Sequence, residues 1–301
     1  MKVGILGGGN WGQALARLVI AAGHEPFIAY RDKRPPHVLP STDDPPRVSA
    51  ACDLLLVATS AAEVRSAIRQ AVPGPRHRVV VAGRGIDPDS GDWLTDAVRQ
   101  ECEAVRVGAL AGPAPVDEIL NGGLSAGVVA SRFDEVRALT IEALHSSRYR
   151  CYDSADLTGV QLSGAMVPVL AAVLGLARSL GGAGVGLHAM VLARGLAEAV
   201  RLGQAVGADP LTFVGLAGVA DLVASQALPG HPHFEAGRAL ARGEPVGTPT
   251  PQRLARALAR LAKLHGVDAP LTRGLLAVYD GMPPIDAVTA LMQREARREH
   301  G

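Results

Sequence analysis

The chain opens on three glycines at a spacing that can hold an anion. Gly7-Gly8-Gly9-Asn10-Trp11-Gly12 follows the apolar run 2–6 and leads into an apolar-periodic segment, 13–22, that stops at Gly23. In such a turn the first glycine makes the tight bend and the second lets the backbone approach a pyrophosphate. The third lets helix and strand pack closely, and the helix N-terminus faces the negative charge. The chemistry supported is binding of NAD or NADP, with Gly7, Gly9, Asn10, Trp11 and Gly12 as cofactor contacts. An ordinary glycine-rich turn is the alternative; the strand–turn–helix context, with further strands behind it, favours the dinucleotide. An NAD-selective site carries an acid at the end of the second strand. Here that place reads Tyr30-Arg31-Asp32-Lys33-Arg34, and its bases, Arg31 first, suit a 2′-phosphate. The reading leans to NADP, with solvated loop charges as the other explanation.

His188, His231 and His233 are the next residues with chemical reach, because imidazole titrates near neutrality and can serve as acid or base. No cysteine or carboxylate stands at ligand spacing to them, so no metal site is expected. Exposed loop histidines are the competing reading. The three cysteines, Cys52, Cys102 and Cys151, are scattered and odd in number, which argues against a disulfide framework.

The elements that must position these groups fall into two kinds. Short apolar runs at 2–6, 26–30, 53–58, 78–82, 106–110 and 124–130 read as strands, with helices at 61–70, 93–101 and 133–144 between them. This alternation predicts a doubly wound parallel sheet of Rossmann type. The segment 34–46, with five prolines, reads as a loop. Beyond about residue 155 no strand is expected, and helices are read at 169–180, 188–206, 210–224, 233–242, 251–265 and 284–300. The expected organisation is a dinucleotide-binding domain over 1–154 and an all-α domain for substrate or dimerisation over 155–301.

With 301 residues, 48% hydrophobic and only 3% aromatic, the chain has material for two cores built from Ala, Leu and Val. A net charge of +1 with interspersed signs argues against a nucleic-acid partner. The apolar stretch 166–177 contains Pro168 and ends before Arg178, so it reads as a buried helix and not as a membrane span. No signal peptide is read at the N-terminus, and a cytoplasmic location is expected. A homodimer through the helical half is open.

Several blocks together resemble one family. Residues 7–16 (GGGNWGQALA), Gly83-Arg84-Gly85-Ile86, Leu110-Ala111-Gly112-Pro113, the run 159–165 (GVQLSGA), Arg194-Gly195-Leu196-Ala197-Glu198 and the run 212–222 (TFVGLAGVADL) are similar, in order and spacing, to bacterial NAD(P)-dependent glycerol-3-phosphate dehydrogenases. The resemblance runs from residue 3 to about 245. It implies a Rossmann domain followed by a helical domain, a small-molecule substrate and hydride transfer.

The same resemblance exposes departures. The family's Gly-Ala-Leu-Lys-Asn, whose lysine is taken as the proton donor or acceptor, is here Gly164-Ala165-Met166-Val167-Pro168. Its Ser-Arg-Asn phosphate clamp aligns with His231-Pro232-His233, its Lys-Gly-Ile with Arg84-Gly85-Ile86, and an asparagine before the Arg-Gly-Leu helix with Gly186. The resemblance makes Asp221 a residue near the substrate and puts Ser225 where a threonine is usual. Asp221, His231 and His233 are therefore the candidate catalytic residues; Arg84 is a candidate contact for cofactor or substrate, and Ser225 for substrate. Three functions compete: an oxidoreductase with altered substrate or impaired activity, a non-catalytic NAD(P)-binding sensor or partner protein, and a glycerol-3-phosphate dehydrogenase with relocated catalytic groups.

Overall fold

The computed structural model describes residues 1–31, 38–181 and 184–295. Its first half is β1 (Lys2–Leu6), α1 (Asn10–Ala21), β2 (Glu25–Ala29), β3 (Ser41–Thr42), α2 (Pro45–Ala51), β4 (Leu54–Val57), a 3-10 turn (Ala61–Glu63) running into α3 (Val64–Ala71), β5 (Arg78–Val81), α4 (Leu94–Glu101), β6 (Arg106–Ala111), α5 (Val116–Leu120), β7 (Ser125–Ala130), α6 (Asp134–Leu144) and β8 (Tyr149–Ser154). The second half is helical: α7 (Leu157–Ser179), α8 (Val185–Ala205), α9 (Pro210–Val214), a π-turn (Leu216–Ala220), α10 (Asp221–Ala227), α11 (Pro232–Arg242), α12 (Thr250–Leu264), α13 (Pro270–Tyr279) and α14 (Pro284–Met292).

The strands lie in the order β3-β2-β1-β4-β5-β6-β7-β8. β1 pairs in parallel with β2 on one side and β4 on the other. The chain order reverses there, and the carboxyl ends of strands at such a switch point are where open α/β sheets take ligands. Side chains alternate as the pleat requires: Val3 and Ile5 enter one core with Ala14, Leu15 and Val136, while Leu6 enters another with Val48, Leu55 and Ile68. Both faces are covered, so β1 is pinned on both sides immediately before the glycine turn.

Helix α7 is the axis of the second half. It packs against α8, α10, α11, α12 and α13. Its residues are long and apolar enough to cross a membrane, yet that whole stretch is buried inside the protein; Pro210–Ala227 passes the same test and is one-third buried. The buried reading of 166–177 holds, and Pro168 sits inside the helix as a fully enclosed residue.

The doubly wound sheet followed by helices is as expected, with corrections in detail. The sheet is not wholly parallel, because β7 runs antiparallel to β6. A further strand, β8, was not read from the sequence, since its run Tyr-Arg-Cys-Tyr-Asp-Ser is too polar to stand out as a core strand. The proline-rich loop contains β3 and gives way to α2 at Pro45, the usual place for proline in the first turn of a helix. The predicted helix 210–224 is interrupted by the π-turn, and α13 was missed. The predicted start of the central helix at 169 is Leu157, where Asp156 caps it through a bond from the Gly159 N–H.

Glu198 shows how the helical half is tied together. It is 0% exposed and accepts from the backbone N–H of Leu271 and Thr272 and from the Thr272 hydroxyl, capping α13 from α8. Replacing it with alanine strands buried donors, each costing about 1–3 kcal/mol. The expected loss for Glu198→Ala is about 2–4 kcal/mol of stability by urea unfolding, with Glu198→Gln losing less.

Candidate functional site

The glycine turn is built as its residue types require. Gly7 has φ +124°, and a Cβ there would lie 2.7 Å from the Ala58 carbonyl oxygen. A Cβ on Gly12 would lie 1.9 Å from the Gly7 carbonyl oxygen. Gly9 is different: its missing side chain faces open space, with no atom within 4 Å. No side chain caps α1 at Gly9, so the first-turn N–H groups, beginning at Asn10, are left to an outside acceptor. Trp11 on that first turn donates its indole N–H to the Ala82 carbonyl at 2.8 Å, fixing α1 to the end of β5.

Two cavities of about 330 Å³ each lie along the carboxyl edge of the sheet. One is lined by Gly7, Gly9, Tyr30 and Arg31, the other by Trp11, Arg84, Gly112 and Asp221. Thr59 and Ser60, just after β4, line both, and the buried Thr59 hydroxyl has no hydrogen-bond partner. A continuous groove with an uncapped helix N-terminus, a backbone open at Gly9 and an orphaned hydroxyl at its waist fits a dinucleotide. Sequence reasoning missed Thr59 and Ser60; their place directly after a parallel strand is the signal that could have found them.

At the first cavity Arg31 meets Glu63 at 2.9 Å, and 64% of its side chain remains exposed. The Ser60 hydroxyl, at 2.7 Å, and Arg31 hold Glu63 below the ordinary carboxylate range. Glu63 was not anticipated. Lys33 and Arg34 lie outside the described residues.

The second cavity joins the two halves of the chain. The turn after β5 carries Arg84, and Gly85 with φ +73° lies so close to α7 that a Cβ would fall 1.7 Å from the Gln161 carbonyl oxygen. From this seat Arg84 Nη1 donates to Asp221 Oδ2 at 2.7 Å across 137 residues of sequence. The π-turn ends at Asp221, and π-turns concentrate at functional sites. Asp221 is 4% exposed; burial pushes its carboxyl up, and Arg84 opposes that push. His233, in the first turn of α11, lines the same cavity with a buried Nδ1 that has no partner. Burial and the Arg84 charge push it down to about 2.

The remaining candidates sit apart. His231 caps α11 and touches His233 edge to face at 5.2 Å, but it is not among the residues lining the cavity. Burial first, then Arg84, pushes it down to about 4. Ser225 is 1% exposed, and its hydroxyl donates to the Asp221 carbonyl one turn back, away from the cavity lining. His188 bonds Gln226 at 2.6 Å between α8 and α10. Val167, one turn beyond the cavity-lining Gly164, is 2% exposed in the helical core. Among the described residues no cluster of three or more His, Cys, Asp or Glu side chains suited to a metal ion occurs.

A strap over residues 86–93 closes one side of the cleft. Arg65 holds Asp87, Asp92 and Glu101 from the sheet side. Arg253 grips both oxygens of Asp89 at 2.6–2.7 Å from α12. The strap places Pro88 on the cavity wall beside Arg253.

The depressed histidine gives a pH dependence with a definite sign. His233 is neutral when folded down to about pH 2, whereas an unfolded histidine protonates near 6.5. Its neutral burial therefore costs nothing above pH 6.5 and erodes stability as pH falls below that value, by up to about 1.4 kcal/mol per pH unit. Stability of His233→Gln, followed by urea unfolding, is expected to fall less steeply between pH 6 and 4 than that of the unmodified chain. An unchanged slope would contradict a neutral, buried His233.

Comparison with known proteins agrees with this architecture. Residues 30–137 match the family model described as the N-terminus of NAD-dependent glycerol-3-phosphate dehydrogenase, and residues 156–289 match its C-terminus. A glycerol-3-phosphate dehydrogenase (NAD(P)+) of Halorhodospira halophila is 32% identical over 99% of this chain and 98% of its own length. One from Mesorhizobium japonicum is 33% identical, covering 99% of this chain and 94% of its own length. The crystal structure of glycerol-3-phosphate dehydrogenase from Coxiella burnetii superposes with a TM-score of 0.88 at 23% identity, over 97% of this chain and 99% of that one. A Rossmann sheet with a glycine-rich turn after its first strand, a helical second half and relatives of this identity across nearly the whole chain place it in the family of NAD(P)-dependent glycerol-3-phosphate dehydrogenases.

Proposed function

We propose that the chain is an NAD(P)-dependent oxidoreductase that moves hydride between nicotinamide and a small alcohol or ketone, with a substrate half changed from that of its glycerol-3-phosphate dehydrogenase relatives. The observation that carries this reading is the Arg84–Asp221 pair, at 2.7 Å, lining the cavity next to the dinucleotide groove together with His233. In this reading residues 1–154 hold the cofactor and 155–301 supply the substrate side.

Bound NAD(P)H supplies the hydride. Reduction of a carbonyl then needs a proton at oxygen, and a positioned acid contributes about 10²–10⁴-fold. Val167, where the resemblance expects lysine, transfers no proton. In this reading Asp221 takes that role: it lines the cavity, and burial raises the proton affinity of its carboxyl against the opposing charge of Arg84. Arg84 keeps its charge and polarises the substrate oxygen; it is a poor proton donor. His233, held neutral, offers one N–H or one lone pair to a substrate hydroxyl, with His231 behind it. Pro232 stands at the aligned clamp arginine, so recognition of a phosphate ester is weakened. Arg31 on the rim of the first cavity favours the 2′-phosphate of NADP, against the competing charge of Glu63.

A second reading, a non-catalytic NAD(P)-binding protein, draws on Val167 and Pro168, both enclosed in the helical core. One titration separates the readings. The purified chain is titrated with NADH and NADPH, and dihydroxyacetone phosphate and a panel of other small carbonyls are then added while loss of reduced-cofactor absorbance is followed. Expected are saturable binding of both, tighter for NADPH, and oxidation by dihydroxyacetone phosphate at least about a hundredfold slower than in a relative that keeps the lysine. Rapid oxidation would place acid and clamp on other residues; binding with no oxidation by any carbonyl would favour the second reading.

A further inference from the structure

Tyr149 at the start of β8 has no part in the chemistry above, yet it lines the second cavity. It is 3% exposed, and its hydroxyl makes no hydrogen bond to any described residue. Room for it is made by glycine: a Cβ on Gly127 would lie 2.0 Å from the Tyr149 hydroxyl oxygen. Gly112, with φ +124°, would itself place a Cβ 2.9 Å from the Gly127 Cα. Two side chains are thus absent where β6 and β7 meet, and the phenol fills the gap and reaches the cleft.

The surroundings identify what the hydroxyl meets. Trp11, Leu110, Val116 and Tyr149 come from the sheet side of the cavity, and Asp221, His233 and Arg253 from the helical side. The Trp11 N–H is already bonded to Ala82, which leaves the phenol as the side-chain donor of that four-residue wall. An apolar slot with one polar handle suits a flat heteroaromatic ring bearing one amide. The groove begins at Tyr30 and Arg31, passes Thr59 and Ser60 and ends here, so the slot receives the end of the dinucleotide opposite its adenosine.

We propose that the Tyr149 hydroxyl donates a hydrogen bond to the carboxamide oxygen of the nicotinamide ring and so fixes the orientation of that ring in the cleft, as a positioning residue. The inference rests on the cofactor reading given under Proposed function. Burial pushes the phenol up, so it stays a protonated, neutral donor throughout the working pH range.

The test compares Tyr149→Phe with the unmodified chain in binding NADH, NADPH and ADP-ribose, which lacks nicotinamide. Loss of one neutral hydrogen bond predicts about two- to tenfold weaker binding of both dinucleotides, with ADP-ribose affinity and thermal midpoint unchanged. Equal weakening of all three ligands would mark Tyr149 as structural and overturn the inference, as would no change in any of them. Failure of the unmodified chain to bind any of the three would instead overturn the cofactor reading beneath it.

Discussion

The contact between the turn at Gly85 and the backbone of α7 governs the rest of the site. There is no space for a Cβ between Gly85 and the Gln161 carbonyl, and the residue's positive φ is one that side chains disfavour. The same Gln161 accepts from the Thr95 N–H through its side chain, so the start of α4 is tied to the same helix. Together these contacts seat the end of β5 on the central helix of the second half. From this seat the Arg84 side chain reaches Asp221. The hydrogen bond from the half-buried Arg84 guanidinium to the buried Asp221 carboxyl group spans the two halves of the chain at this contact. A buried pair of this kind contributes little net stability; what it provides is a fixed charge pattern beside the dinucleotide groove.

That pattern sets the proton chemistry of its neighbours. Burial first, and the Arg84 charge after it, raises the cost of protonating both nearby histidines. A histidine in such a field is a hydrogen-bonding group and a weak base.

Much of the nucleotide half was legible because its residue types answer to backbone geometry. Gly7 and Gly12 are glycines for steric reasons that hold in any such turn, and the apolar runs of β1, β4 and β5 must be buried on both faces. The antiparallel β7 and the polar β8 were not legible: direction of pairing leaves no local mark, and the side chains of β8 alternate between core and solvent. Pro168 masked the true start of α7, because a proline enclosed in a long helix is tolerated through tertiary packing that local propensity does not register. At the site, Arg84, Asp221 and His233 were each singled out, but their convergence spans 137 residues between the first two and depends on the π-turn. Tyr149 and Glu63 gave no sequence signal, since a lone tyrosine at a strand end and a lone glutamate before a helix are ordinary. Ser225 was singled out as well, and its hydroxyl donates to the Asp221 carbonyl of its own helix.

The most direct test of Asp221 as the proton donor is a single-turnover comparison of Asp221→Asn with the unmodified chain, using whichever carbonyl the latter reduces fastest. The expected result is hydride transfer slowed by about 10²–10⁴-fold with reduced-cofactor affinity unchanged. Hydride transfer at the unmodified rate in Asp221→Asn would show that the proton comes from elsewhere and that the Arg84–Asp221 pair only braces the cleft.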